Sequence, residues 1–549
     1  MPIAPNPAAP ARPEPHEAMP EPVTEADLPG ATPVAPAPSS RWIGLLFVAL
    51  AVVSTGAWLW LRRWYGVYEN RSKPHFSFEK IPGGFDSPIL RQTALLFFVI
   101  AIAYATAIFL LRSRHTLPRL AWLGVAALVA GPAVVNVLLY PVGALDVFNY
   151  MTELKLAFHY DENPYLVTFE NYREDRYANS AFLVDVTLFY GPAWLLATGL
   201  PALVAGFDDV FRTLVALKVF NLLLIGVAAV AIALFHKDRR QRWLAVTLFA
   251  ANPLVLFEGV GNGHNDVLLT VFVVMAMLAL QRKSPLAGPL LALSALVKLY
   301  TVALLPIFIV VALRERWGWK RIGLTVVLTA FAVVATCAPY WGEGKLVDGL
   351  RSGLEESQEM DHVSPLSLAR QYAQEQEAQQ RRNTELALSR PSVEIVPQQV
   401  QDEIVRGFTA AFALATLLIA LSVWKGHPPA LAAAETLLLL FLLMTNLYGW
   451  YLIPVIALLA LHPDRLSRWY VMVATAFGLA YYPMFIYAHY NSEWSRFQIH
   501  QFLALFLTAP ILLYLLARAA PWRRIAPLAA RFRRRAGAGR GSIARRELA

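Results

Sequence analysis

The chain has 549 residues, of which 57% are hydrophobic and only 16% charged, with a formal net charge of +10. Ordinary soluble domains carry about 25% charged residues, so a string of soluble domains is excluded. The single cysteine, Cys337, excludes internal disulfides and cysteine-cluster metal sites.

The first forty residues are rich in Pro, Ala and Glu, without the charged-then-apolar pattern of a cleavable leader. They bury too little to fold and read as a disordered cytoplasmic tail. An anchor over Trp42–Leu61 follows, then apolar spans at Gln92–Leu111, Leu120–Tyr140, Thr213–Phe235 and Trp243–Phe257. Further spans fall at Val267–Leu280, Ala287–Lys298, Thr301–Leu313, Ile322–Tyr340 and Gly407–Val423. The last are Leu431–Thr445, Gly449–Leu461, Trp469–Tyr490 and Gln501–Leu516. A span needs about 20 apolar residues, so the expected fold is an all-α polytopic membrane protein with about 12–14 transmembrane helices.

Short linkers rich in Arg and Lys belong in the cytoplasm. These are Arg112–Arg119, His236–Arg242, Arg282–Lys283, Arg314–Arg321, Lys425–His427 and Asp464–Arg468. All fall on one side if Ala287–Leu313 is a hairpin turning near Lys298 and if Val186–Gly206 lies on the surface. Tyr190-Gly191-Pro192 breaks a helix and favours the surface position. Both termini are then cytoplasmic, in an inner or plasma membrane. The mildly basic outer loop Arg63–Lys80 is the one strain. The expected domains are a tail over residues 1–40, a membrane domain over 41–519 and a basic cytoplasmic tail over 520–549. That last tail, with Arg531, Arg533, Arg534 and Arg535, suits anionic headgroups rather than nucleic acid. The outer face receives a first large loop over 141–209 and a polar loop over 341–405. No internal repeat of the transporter kind is visible.

Four groups of residues at the outer boundary could carry chemistry. Asp146 follows a span and shares a helix face with Asn149, Tyr150 and Glu153. A partly desolvated carboxylate there can act as a general base; Asp146 equally suits a helix cap. Asn262-Gly263-His264-Asn265-Asp266, preceded by Asn252-Pro253 and Glu258, crowds polar groups between apolar helices. Such groups are costly unless water or a ligand satisfies them. One His with two carboxylates is a weak metal signal, so neither metal nor organic cofactor is expected. Lys298 is a lone cation in an apolar run, suited either to holding a phosphate or to snorkelling to the interface. Asn163-Pro164-Tyr165, Tyr190-Gly191-Pro192-Ala193-Trp194 and Tyr448-Gly449-Trp450-Tyr451 fit an aromatic belt or a sugar-stacking surface. Glu435 is a solitary acid inside a span. No Walker loop, dinucleotide glycine motif, nucleophile elbow or Asp-x-Asp pair is present.

Asp146 after a span, then Asn163-Pro164-Tyr165 and Tyr190-Gly191-Pro192-Ala193-Trp194, resembles the GT-C glycosyltransferases. Asn252-Pro253-Leu254-Val255-Leu256 with Gly261-Asn262-Gly263-His264-Asn265-Asp266 is similar to bacterial polyprenyl-phosphate-mannose-dependent mannosyltransferases, as is the hairpin with Ala295-Leu296-Val297-Lys298. The resemblance covers Tyr140 to Leu313; beyond it only Tyr448-Gly449-Trp450-Tyr451 matches. It implies inverting transfer of a hexose, mannose by this likeness, from a polyprenyl-phosphate donor to a glycolipid or glycan acceptor on the extracytoplasmic side. Asp146 would be the base, and surface helices in the first outer loop would cap the site. Asn149, Tyr150, Asn163, Tyr165, Tyr190, Asn262, His264, Asn265, Asp266, Lys298, Trp450 and Tyr451 are the expected substrate-binding residues. The rival readings are a transporter or flippase of lipid-linked substrates and an oligosaccharide ligase or polymerase.

Overall fold

The computed structural model describes residues 39–73, 75–113, 117–357, 397–444, 447–491 and 493–519. Both expected tails beyond those limits, and the middle of the 341–405 loop, lie outside the described residues. The described chain is helical and has no strand; only an isolated bridge joins Gly66 to Leu139.

The long apolar runs form helices because a backbone in lipid must satisfy its own hydrogen bonds. Among the described residues, eight helices are long and apolar enough to cross a bilayer: Arg41–Tyr65, Pro88–Ser113, Arg119–Val137, Val210–Phe235, Trp319–Tyr340, Arg406–Trp424, Arg465–Tyr490 and Gln498–Ala519. The expected span Trp243–Phe257 is instead broken. Arg239–Ala250 and Val255–Gly261 meet at 53°, making a ninth crossing if taken as one. Asn252 holds the break, its Oδ1 accepting from the Leu254 and Val255 amides while its Nδ2 donates to Thr475 Oγ1 at 2.7 Å. The other expected spans are short helices, Asp266–Gln281, Ala287–Ala295, Leu305–Arg314, Pro429–Leu443 and Leu452–Leu461. At about 1.5 Å per residue these fall short of a 30 Å core. Every residue of Leu452–Leu461 is buried; its unbroken apolarity reflects burial in the bundle rather than contact with lipid.

Residues 287–314 do form a hairpin. Lys283 pairs with Glu315 at 2.8 Å across its base, and Lys298 sits at its tip. The basic linkers gather at the base end. Lys283, Arg314, Pro428 and His462 border one recess there, and Arg112, Arg240, His462 and Arg468 border its neighbour. Glu435 is not solitary: it lies 3.0 Å from His427 and 3.6 Å from Arg518.

At the opposite end, the 141–209 loop is folded onto the bundle. Asp146–Phe158 and Pro192–Ala205 are its helices. Lys155 pairs with Asp175 at 2.6 Å and donates to the Phe207 carbonyl. Asn149 Oδ1 accepts from the Phe182 and Leu183 amides. The Gly191 and Ala193 amides donate to the Val297 and Leu296 carbonyls, tying this loop to the hairpin tip. A Cβ at Gly191 would lie 1.9 Å from the Leu296 oxygen, so this tie requires glycine. Leu200, Leu203 and Val204 keep the outer face of Pro192–Ala205 apolar and exposed, as befits a helix lying in a membrane surface.

Candidate active site

The hairpin tip, the start of Asp146–Phe158, the segment Glu258–Asp266 and the turn Gly449–Tyr451 meet at this end of the bundle. Asp266 begins its helix fully buried. Its Oδ2 takes a 2.6 Å contact from Lys298 Nζ, and its Oδ1 accepts from the Tyr300 hydroxyl at 3.0 Å. The Lys298 ammonium lies 5.3 Å from the Tyr190 ring and 5.2 Å from the Tyr451 ring, positions where aromatic faces attract a cation. One of its three donors is used on Asp266, and two can serve another anion.

Asp146 is the first residue of its helix. The N-cap position is Leu145, without a side-chain cap, so the capping role open from the sequence is not taken up. The carboxylate lies within electrostatic reach of Lys298 and Asp266. Burial pushes its pKa above the usual carboxylate range, the Lys298 charge pulls it back, and the Asp266 charge adds to the rise. Glu153, two turns on, is buried with Oε2 unpartnered. Burial, and then the charge of Asp146, keep its carboxyl well above its ordinary range.

Next to these lies a second network. Glu258 is wholly buried. It accepts from Tyr482 at 2.8 Å and from Asn262 Nδ2 at 2.8 Å, while Asn262 Oδ1 accepts from the Gly143 amide at 3.1 Å. The turn leading into Asp146 is thus held by the chain that leads into Asp266. The seven residues Val255–Gly261 form a π-helix, a distortion often found at functional sites. His264 lies 3.5 Å from Glu258 Oε2 and stacks on Trp450 at 4.0 Å, and Trp450 stacks on Tyr448 at 4.3 Å. Both His264 ring nitrogens and both side-chain polar atoms of Asn265 are buried without a hydrogen bond. Buried polar groups are seldom left so, and these can receive hydroxyls.

Two concavities flank this centre. An apolar groove of about 650 Å³ runs between the hairpin and Trp319–Cys337, with Leu299, next to Lys298, and Leu296 in its wall. On the other side is a cleft of about 570 Å³ lined by Gly143, Trp450, Tyr448, Tyr482 and Glu79. Tyr451 therefore faces the Lys298 side and Trp450 the cleft.

Of the expected site residues, Asp146, Tyr190, Asn262, His264, Asn265, Asp266, Lys298, Trp450 and Tyr451 come together. Tyr150 lies beside them, its ring 5.1 Å from Tyr190. Asn149, Asn163 and Tyr165 instead hold the loop: Asn163 binds the Tyr165 amide and the Tyr340 carbonyl, and Tyr165 donates to the Tyr190 carbonyl. Glu258, Tyr300 and Tyr482 were not among the expected residues. Glu258 carried a signal, a carboxylate in an apolar run four residues before Asn262. Tyr482, distant in sequence and one of many aromatics, carried none. Among the described residues no group of three His, Cys, Asp or Glu could hold a metal.

Two glycosyltransferase family models match this many-spanning helical chain. Residues 41–314 match the family model described as α-(1→6)-mannopyranosyltransferase, N-terminal domain. Residues 188–447 match glycosyltransferase family 87. These matches mark the chain as a membrane glycosyltransferase that is GT-C-like and mannosyltransferase-like. No curated protein matches the chain.

Proposed function

We propose that this protein transfers a hexose, mannose by its kinship, from a polyprenyl-phosphate donor to a hydroxyl of a glycolipid or glycan at the extracytoplasmic face. Asp146 removes the proton of the acceptor hydroxyl, which attacks the anomeric carbon as the lipid phosphate leaves, inverting that centre. The observation that carries this reading is the position of Lys298: beside Asp146, paired with Asp266, and bordered by residues of an apolar groove. A lipid-linked sugar phosphate asks for this combination, an apolar chain site ending at a cation. The groove takes the polyprenyl chain, and the spare donors of Lys298 take the phosphate. The cleft bounded by Trp450, Tyr448 and Tyr482 takes the acceptor.

Burial of Asp146 raises its basicity, and the Lys298 charge keeps the ionised form accessible. Basic linkers gathered at the far end agree with a cytoplasmic position for that end. The test is incubation of the protein in lipid with radiolabelled polyprenyl-phosphate mannose and a membrane glycolipid extract, wild type beside Asp146→Asn. Label entering a new product with wild type alone supports the reading. Movement of the donor across the membrane without a new product would favour a flippase.

A further inference from the structure

The end of the bundle remote from Asp146 holds a concave site that sugar transfer does not use. It is a recess of about 790 Å³ lined by Arg112, Lys237, Arg240, Arg468, Asp238 and Asp464, among others. Its two carboxylates already serve elsewhere. Asp238 accepts from the Gln241 amide at 2.8 Å. Asp464 is held by two nitrogens of Arg518, at 2.5 and 3.1 Å, and by the Ser467 amide. Arg112, Lys237 and Arg468 form no ion pair among the described residues.

Basic residues at one membrane face are the default, but their side chains usually reach outward to water. Here two of them are tied back to the backbone at the rim of the recess: Arg240 donates to the Arg112 carbonyl and Arg468 to the Pro463 carbonyl. Arg112, Arg240 and Arg465 all lie within electrostatic reach of Arg468, and Asp464 offsets only part of their charge because Arg518 already holds it. Gathered like charges repel one another unless an anion offsets them. The Arg468 guanidinium, fixed at one edge, presents its remaining N–H groups in the pattern that phosphate oxygens accept.

We propose that this recess binds a phosphate group, supplied by the headgroup of an anionic phospholipid in the leaflet at that end. The site bears on the catalytic end through two helical elements. Arg465–Asn491 carries Tyr482, and the broken span that starts at Arg239 carries Glu258; those residues meet at 2.8 Å. A headgroup held between the starts of both elements fixes their register.

The test is thermal unfolding of the full chain in neutral detergent, titrated with short-chain phosphatidylglycerol, phosphatidylcholine, inorganic phosphate or sodium chloride at equal ionic strength. Phosphatidylglycerol is expected to raise the unfolding midpoint of the wild type beyond the salt control. Its affinity is expected to fall roughly fivefold for each arginine removed in Arg112→Gln and Arg468→Gln. Lys320→Gln, an exposed cation at the same end, is expected to leave it unchanged. An equal rise with inorganic phosphate would support the site but assign it to a soluble phosphate compound. No rise beyond salt, or an equal loss in Lys320→Gln, overturns the proposal. Should the arginine variants fail to fold, Lys237→Gln decides: weaker stabilisation supports the site and unchanged stabilisation overturns it.

Discussion

Lys298 Nζ lies 2.6 Å from Asp266 Oδ2, joining the tip of the 287–314 hairpin to the first residue of Asp266–Gln281. The Asp266 side chain is wholly buried and that of Lys298 is 10% exposed. Removing one partner of such a pair strands the other charge and typically costs about 3–5 kcal/mol. Lys298→Met should therefore lower the unfolding midpoint sharply. The double variant Lys298→Met, Asp266→Asn should recover most of that stability and yet transfer no sugar. Recovery of transfer along with stability would show that the pair serves the fold alone.

Asp146→Asn should behave in the opposite way. The side chain caps no helix, so the amide costs no cap. Its pKa is raised in the folded state, so the native protein binds this proton more tightly than the unfolded chain. The resulting stability is present below the unfolded pKa and is lost as pH rises through the folded one. At neutral pH the variant should unfold at the wild-type temperature or slightly above it. Loss of a positioned base typically costs about 10²–10⁴-fold in rate, so transfer should fall by that factor.

The same shift fixes the acid side of the pH profile. A base works only when ionised, so kcat/KM should fall as pH drops through the Asp146 pKa. Desolvation places that limb above the ordinary Asp value of about 3.9. Weakening the nearby positive charge, by Lys298→Gln where the protein still folds, should move the limb further up. A limb at the ordinary value, unmoved by Lys298→Gln, would point to a different base.

The fold class was legible because apolar runs of span length have one solution in lipid. The hairpin was legible because the positive-inside rule demanded that Lys298 face away from Arg282 and Arg314. The break at Asn252 was not, since the hydrogen bonds of Asn252 to Thr475 and Tyr104 cross the whole chain. Leu452–Leu461 was misread for a related reason: a helix buried among helices and one bathed in lipid are equally apolar. Asp146, Asp266 and Lys298 stood out because charge is rare in such surroundings. Asn149 and Asn163 stood out equally, and local sequence does not distinguish an amide that binds backbone from one that binds sugar.

The turn before Asp146 offers a test of how tightly the two networks are joined. A Cβ at Gly143 would lie 2.6 Å from Asn262 Nδ2 and 2.8 Å from Tyr482 Cζ, too close for either to stay. Gly143→Ala must therefore displace Asn262 or Tyr482, both of which hold Glu258. Overpacking of this kind costs about 1–3 kcal/mol, so the chain should still fold with a modestly lower midpoint. Transfer should fall more than stability, because the displaced turn carries Asp146 away from the acceptor cleft that Gly143 lines. Tyr482→Phe removes the hydroxyl and relieves part of the crowding. If overpacking is the cause, adding it to Gly143→Ala should cost less than the two single losses combined. Strict additivity in transfer rates would mean that Gly143 and Tyr482 act on the reaction separately.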